Sequence, residues 1–361
     1  MPVDRLTLLE SLSCAFGVAG AEGQVMEILD GLLRRRFHGT RDRFGNRMYR
    51  SRERSDAGVR IVLAAHADEV GFVVQAVRPE GFLSFLPLGS WCPLAAVGLP
   101  IRIKGSLGFV DGVIGIAPPH HKKENPGSHA PDWMDLWMDI GSRSARETCD
   151  MFGVRPGDPA TPASIFKVLR GGHVLMGKAW DDRVGCALLV EALEELDTDP
   201  AGAPNAVWAV ATVQEEVGGR GAAVVAERVK ADVAVILEGA PADDFPGRSD
   251  WESQARMGKG VQIRSYDPSM IANPGLRDFL IEIAEQEGIP WQVAVRRTGG
   301  TDGGPLHKSC EGVPTIVVAV PVRYAHSGAG LIDLSDYEAC LRLVVSACRR
   351  LSRDVVDCFS S

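Results

Sequence analysis

The chain lacks a CxxC pair, lacks any apolar run long enough to cross a bilayer, and lacks a surplus of basic side chains. Each absence removes a class of function. Its eight cysteines, at 14, 92, 149, 186, 310, 340, 348 and 358, form neither a disulfide framework nor a thiolate zinc knuckle in a chain of 361 residues. They read mostly as buried small hydrophobes in a reducing compartment. Apolar stretches such as 231–238 (ADVAVILE) are far too short for a membrane span. Lysine and arginine number 39 against 47 acids, so the formal charge is 39 − 47 = −8, which argues against a nucleic-acid footprint. The start, MPVDRLTLLESLSCAFG, carries two acids before any signal-like apolar stretch, which gives an expectation of a cytoplasmic protein. Internal repeats and low-complexity tracts are also missing.

What is present is ordinary for a globular chain: 45% hydrophobic and 24% charged residues. The length suits about two domains. Nearly continuous apolar runs at 60–66, 207–213, 232–238 and 315–321 read as strands buried on both faces. Helical periods occupy 22–35, 184–196, 219–229, 274–287 and 335–351, with Pro274 suited to a first helical turn and Gly288 to a helix stop. This alternation predicts a mixed, mostly parallel sheet flanked by helices. Residues 73–166 differ: short β-like pieces (FVVQAVR, GFLSFLPL, PIRIKG, FVDGVIGIA, DLWMDIG) are punctuated by Gly and Pro turns. They read as a small β-rich domain inserted between 1–72 and 167–361. Within it, 118–132 is polar and breaker-rich, a surface-loop composition that contains His120, His121 and His129.

Acids and histidines fall where these strands end. The first strand runs into His66-Ala67-Asp68-Glu69, the second into Gln214-Glu215-Glu216, the third ends at Glu238, and the fourth leads to Arg323-Tyr324-Ala325-His326. Asp181-Asp182 immediately precedes a helix. Open α/β sheets bind ligands outside the carboxyl ends of their strands. Each piece alone has a bland reading. Glu215-Glu216 could be an acid pair favoured by a helix dipole, Asp181-Asp182 an N-cap, and His-x-Asp a structural hydrogen bond. Jointly they make a mixed nitrogen and oxygen donor set that suits Zn²⁺, Co²⁺ or Mn²⁺.

The segments LAAHADEVGFVV (63–74), GVIGIAPPH (112–120), MDIG (138–141), GKAWDDRVGCALLVEAL (177–193), TVQEEVGGRGA (212–222), GGTDGG (299–304) and PVRYAHS (321–327) resemble one family, in family order. It is the dinuclear-metal aminopeptidases of the glutamyl/deblocking type, which include the tetrahedral TET peptidases and proteins once labelled cellulase M. The resemblance implies a zinc-peptidase-like α/β domain with an inserted β-barrel, PDZ-like dimerisation domain. It implies two divalent metal ions per subunit, Zn²⁺ foremost, with Co²⁺ and Mn²⁺ as alternatives. Asp181 would bridge them, His66 and Glu238 would complete one site, and Glu216 and His326 the other. Asp68 would orient the His66 imidazole, and Glu215 would be the general base. Peptides would be the substrates, and the chain would self-associate into dimers and a tetrahedral dodecamer. Glu238 stands where many members carry Asp; its extra methylene alters metal spacing and the room beside the substrate's amino end.

The expected activity is removal of N-terminal residues by a two-metal-activated water. A carboxylate that is not a ligand must move the proton, and adjacent Glu215 and Glu216 offer one acid for each task. Gly300, Thr301 and Asp302 are expected to line the substrate pocket, because Gly-rich turns let backbone approach closely. Arg323 is expected either to touch substrate or to pair an acid. The rivals are a related two-metal carboxypeptidase or deacylase, a glycosidase, and a non-catalytic assembly protein. A glycosidase needs two free carboxyl groups across a sugar bond rather than acids interleaved with histidines.

Overall fold

The fold was obtained as a computed structural model, which describes residues 3–51, 58–118, 130–198, 205–249 and 251–360. His120, His121 and His129 lie outside these.

Four parallel strands form the centre of a nine-stranded mixed sheet, in the spatial order Ala206–Thr212, Arg60–His66, Val233–Pro241, Thr315–Val322. Val, Ile and Ala dominate them because helices cover both faces, so neither face can be polar. Antiparallel strands extend the sheet: Arg47–Arg50 and His38–Arg41 on one side, Val261–Asp267 and Met270–Ile271 on the other. Trp291–Val295 pairs parallel to Val261–Asp267. The register sets the site. Thr212 sits opposite His66, and Ile236 opposite Ala64, so two residues further on Glu238 emerges beside His66.

The flanking helices start where the local chemistry allows. Helix Pro274–Gln286 has Pro at its first turn, where no backbone donor is lost, and Asn273 accepts from the Leu276 N–H. Helix Leu334–Arg350 is capped by Asp333 and carries Arg349 and Arg350 in its last turn, opposite the negative end of the dipole. Helix Trp180–Thr198 packs against the central strands, its Cys186–Val190 segment fully enclosed.

Six strands close a separate antiparallel barrel: Gly71–Val77, Leu83–Leu88, Leu136–Asp139, Gly108–Ile116, Pro100–Gly105 and Pro159–Pro162. Its core of Phe72, Phe85, Ile101, Ile103, Ile114 and Met138 is distinct from the core beneath the sheet. Among the described residues no helix is long and apolar enough to cross a membrane. None of the eight cysteines is in a disulfide, but the expectation that most are buried is corrected: Cys186, Cys340 and Cys348 are buried, whereas Cys14, Cys92, Cys310 and Cys358 are exposed. Burial follows position, since Cys186, Cys340 and Cys348 lie on the inward faces of the two long helices.

Candidate metal centre

The carboxyl edge of the central strands gathers His66, Asp181, Glu215, Glu216, Glu238 and His326 around one cavity of about 690 Å³. His66 is the last residue of its strand and is 2% exposed. Its Nδ1 lies 3.1 Å from the Asp68 backbone carbonyl. A carbonyl only accepts, so Nδ1 carries a proton, and Nε2 is the nitrogen turned to the cavity, able to offer a lone pair to a cation once its own proton has left. Nε2 stands 3.0 Å from Asp181 Oδ1 and 3.6 Å from Glu238 Oε1. Across the cavity, His326 Nε2 lies 3.2 Å from Asp181 Oδ2 and 3.3 Å from Glu216 Oε1. The two oxygens of Asp181 thus face two clusters, His66–Asp181–Glu238 and Asp181–Glu216–His326, each with its donor atoms within 4.8 Å of one another.

This donor set fits a pair of divalent cations. Three carboxylates and two imidazoles converge in enclosed space, where uncompensated like charge is costly. Burial and the Asp181 charge push the Glu216 carboxyl up to about 7. Burial likewise raises Glu238, with Asp181 adding to it. Glu216 Oε1 is buried and makes no well-formed hydrogen bond even though His326 is close. The imidazoles respond oppositely. Against the cost of burial, Asp181 and Glu216 push His326 up to about 11, and Asp181, Asp68 and Glu238 lift His66 well above its usual value. Asp181 pays the burial penalty too, yet His326 and His66 hold it below the ordinary carboxylate range.

Glu215 belongs to neither cluster. Its Oε2 is 3.9 Å from His66 Nε2, and burial, reinforced by Asp302, Glu216 and Glu238, raises its carboxyl well above the usual value despite the opposing pull of His66. Asp68 is fully buried, and its carboxylate accepts the backbone N–H groups of Glu215 at 2.9 Å and Glu216 at 3.0 Å. The same carboxylate is 3.5 Å from His66 Nδ1. Asp68 therefore reaches both the imidazole and the turn that presents the two glutamates.

Local conformation aims the remaining side chains. Asp181 and Asp182 are non-helical residues at the start of helix Trp180–Thr198, joined by a cis peptide. Asp182 turns inward, accepting the His66 and Gly185 N–H groups. Gly239 is needed because a Cβ there would lie 2.3 Å from the Trp180 carbonyl, where the Glu238 strand passes the Asp181 segment. Gln214 and His326 adopt left-handed backbone conformations, uncommon for residues with a Cβ and concentrated at functional sites.

Of the residues expected at the substrate pocket, Gly300 and Thr301 line the cavity. Asp302 sits behind them, bonded to Thr212, with its Oδ1 buried and unpartnered and its carboxyl pushed up by burial to about 7. Arg323 forks onto Asp244, with Nε–Oδ1 at 2.8 Å and Nη2–Oδ2 at 2.5 Å. Sequence reasoning missed Arg264 and Arg296, which also line the cavity. It missed Asp182 and Arg183 as well, although polar residues opening so apolar a helix, WDDRVGCALLV, were a usable signal.

A mixed sheet with acids and histidines converging at its carboxyl edge, and a barrel spliced into it, defines a metallopeptidase-like protein. The model of the M42 glutamyl aminopeptidase family matches residues 45–343. The chain is 32% identical to the glutamyl aminopeptidase of Lactococcus lactis over 80% of each chain. The crystal structure of a TET aminopeptidase from the marine sediment archaeon Thaumarchaeota archaeon SCGC AB-539-E09 superposes with a TM-score of 0.95, at 37% identity and covering 98% of each chain. The Pyrococcus horikoshii TET1 peptidase, described as assembling into a tetrahedron or a large octahedral shell, has a TM-score of 0.84 at 28% identity, covering 96% of this chain and all of that one. The chain belongs to the M42 glutamyl aminopeptidase family.

Proposed function

We propose that this metal-dependent aminopeptidase removes residues from peptide N-termini through a two-metal-activated water, with Glu215 as general base. The observation that carries the reading is Asp181, one oxygen toward each imidazole cluster, with the Glu215 carboxylate beside His66 and part of neither cluster. His66, Asp181 and Glu238 would hold one cation, and Asp181, Glu216 and His326 the other. Divalent cations held there supply Lewis acidity, polarising a carbonyl and lowering the pKa of a water. Glu215 takes the water's proton and returns it to the leaving amine, a role suited to a carboxyl that burial has raised. Asp68 keeps Glu215 and Glu216 in place through their backbone N–H groups. Zn²⁺ is the first choice for this donor set, with Co²⁺ and Mn²⁺ next.

An acidic first residue is the favoured substrate. Arg264 and Arg296 line the same cavity as the ligands, and Arg296 Nε is buried without a partner, although each guanidinium also pairs with an aspartate. The Lactococcus relative carries the name glutamyl aminopeptidase.

Self-association belongs to the same proposal: dimers through the inserted, PDZ-like barrel domain, and a tetrahedral dodecamer. The Pyrococcus likeness supports it, as do apolar side chains left open in and around the barrel, among them Leu107 (69% exposed) and Met134 (85%). A cytoplasmic location is supported by eight cysteines that form no disulfide.

The test uses protein stripped with chelator and reloaded separately with Zn²⁺, Co²⁺ or Mn²⁺. It is offered glutamyl, leucyl and lysyl 4-nitroanilides, their N-acetyl forms, and C-terminally amidated peptides. Metal-restored cleavage confined to free N-termini, fastest for glutamyl, is the expected result. Cleavage of the N-acetylated forms, or loss of cleavage on C-terminal amidation, would instead establish the deacylase or carboxypeptidase rival.

A further inference from the structure

The guanidinium of Arg183 is fully buried two residues beyond Asp181, and all of its hydrogen bonds go to chain segments that support the site. Nε donates to the Ala67 carbonyl at 2.9 Å, between His66 and Asp68. Nη1 donates to the carbonyls of Leu12 at 2.7 Å and Ala15 at 3.2 Å. Nη2 donates to the Gly17 carbonyl at 3.1 Å and to Glu69 Oε1 at 3.2 Å. The Glu69 N–H closes the loop by donating to the same Gly17 carbonyl at 3.0 Å. Lys178, also buried, joins Ala15 to Glu69 from the other side of the helix start.

From this geometry we propose that Arg183 is a positioning residue that sets the distance between the Asp181 segment and the loop carrying His66 and Asp68, using the N-terminal stretch Leu12–Gly17 as its abutment. The inference rests on the ligand reading given above. Arginine is required because its donors leave a rigid plane in fixed directions, whereas a lysine ammonium is a single point with three donors. A charge sealed among carbonyls would be costly without such saturation. Through Ala67 the guanidinium holds the backbone of His66 and Asp68, and Asp68 in turn holds Glu215 and Glu216. One side chain thereby links both ligand clusters to the N-terminal stretch Leu12–Gly17, which contributes no ligand, and the reach of Asp181 toward His66 is fixed from behind rather than from the cavity.

The experiment titrates the metal-free full-length chain with Co²⁺, following its visible absorption bands, at a temperature well below unfolding. Arg183→Lys is expected to weaken Co²⁺ binding by at least about tenfold, the scale on which lost outer contacts act on a metal site. Gly17→Ala approaches from the opposite side: a Cβ there would lie 2.6 Å from Arg183 Nη2, so the guanidinium must move, and affinity is expected to drop in the same direction. Leu193→Ala, a cavity in the same helix about three turns beyond Asp181, lowers thermal stability and is expected to leave affinity within about twofold of the parent. Parental Co²⁺ affinity in folded Arg183→Lys and Gly17→Ala overturns the proposal, as does an equal loss in Leu193→Ala. Should Arg183→Lys fail to fold, Gly17→Ala decides alone. Asp181→Ala tests the underlying ligand reading separately, since retained Co²⁺ binding in that variant would reject the site itself whatever Arg183 does.

Discussion

The two clusters that share Asp181 are built from different material. On one side, His66 ends a central strand and Glu238 lies within another, both nearly sealed from solvent. The His66 backbone is held on both faces, its N–H by Asp182 and its carbonyl by the Cys186 thiol. On the other side, Glu216 comes from a turn and His326 from a loop, with a left-handed backbone and a side chain 31% exposed. Groups carried on packed strands keep their geometry before a ligand arrives, while groups on loops must be ordered by it. The comparison teaches that a bridging carboxylate can join a rigid half-site to an adaptable one, and that the two halves should bind metal unequally.

The most damaging change removes what the halves share. Asp181→Ala should eliminate bound metal at both clusters and all turnover, measured by metal content after gel filtration and by peptide cleavage. Full occupancy in that variant would refute the bridging role. Next comes the residue that belongs to neither half. Glu215→Gln should reduce turnover by about 10² to 10⁴-fold, the usual scale for a general base, while metal content stays at the parental level. Unchanged turnover would exclude Glu215 as the base.

The inequality itself is tested by single histidine changes. His66→Ala should weaken Co²⁺ binding more than His326→Ala, and a chelator should empty the His326 side of the parent first. Equal losses would erase the distinction between strand-borne and loop-borne ligands. The smallest effect is a proton linkage. In the metal-free protein both imidazoles hold their protons at neutral pH, His326 up to about 11 and His66 well above its ordinary value. A protonated imidazole has no lone pair to offer, so each ligand must lose its proton on binding. Metal affinity should therefore fall as pH is lowered, with a proton released from each imidazole at full loading and the raised carboxyls of Glu216 and Glu238 adding to that number. Calorimetry in buffers of different ionisation enthalpy measures that number, and the absence of any buffer dependence would show the imidazoles to be neutral beforehand.

Much of the fold was readable because its strongest signals are local. The runs at 60–66 and 315–321 are strands Arg60–His66 and Thr315–Val322 because uninterrupted Val, Ile and Ala suit a strand enclosed on both faces. The helices over 274–287 and 335–351 announced themselves by Pro274 and by their apolar period, and they are Pro274–Gln286 and Leu334–Arg350. Strands Val261–Asp267 and Trp291–Val295 gave no such signal. Gln262 and Arg264 break the apolar run of the first, and the burial of Arg264 is tolerable only because its guanidinium donates to Asp267 and to Gln262 Oε1. The outer hairpin His38–Arg41 and Arg47–Arg50 was equally silent, being short and rich in arginine.

The candidate site divides along the same line. Acids and histidines at strand ends were visible as a pattern, since the residue types, their order and the strands that carry them are all written in the chain. Which oxygen of Asp181 faces which imidazole, that Asp68 reaches the Glu215 and Glu216 amides, and that Arg183 braces the site from behind depend on strand register and on contacts between residues more than a hundred positions apart. Composition and periodicity determine which segments become strands and helices, because burial and propensity act over a few neighbours. Distances between ligands are decided only when the sheet closes, because packing places them and no short stretch of sequence contains that information.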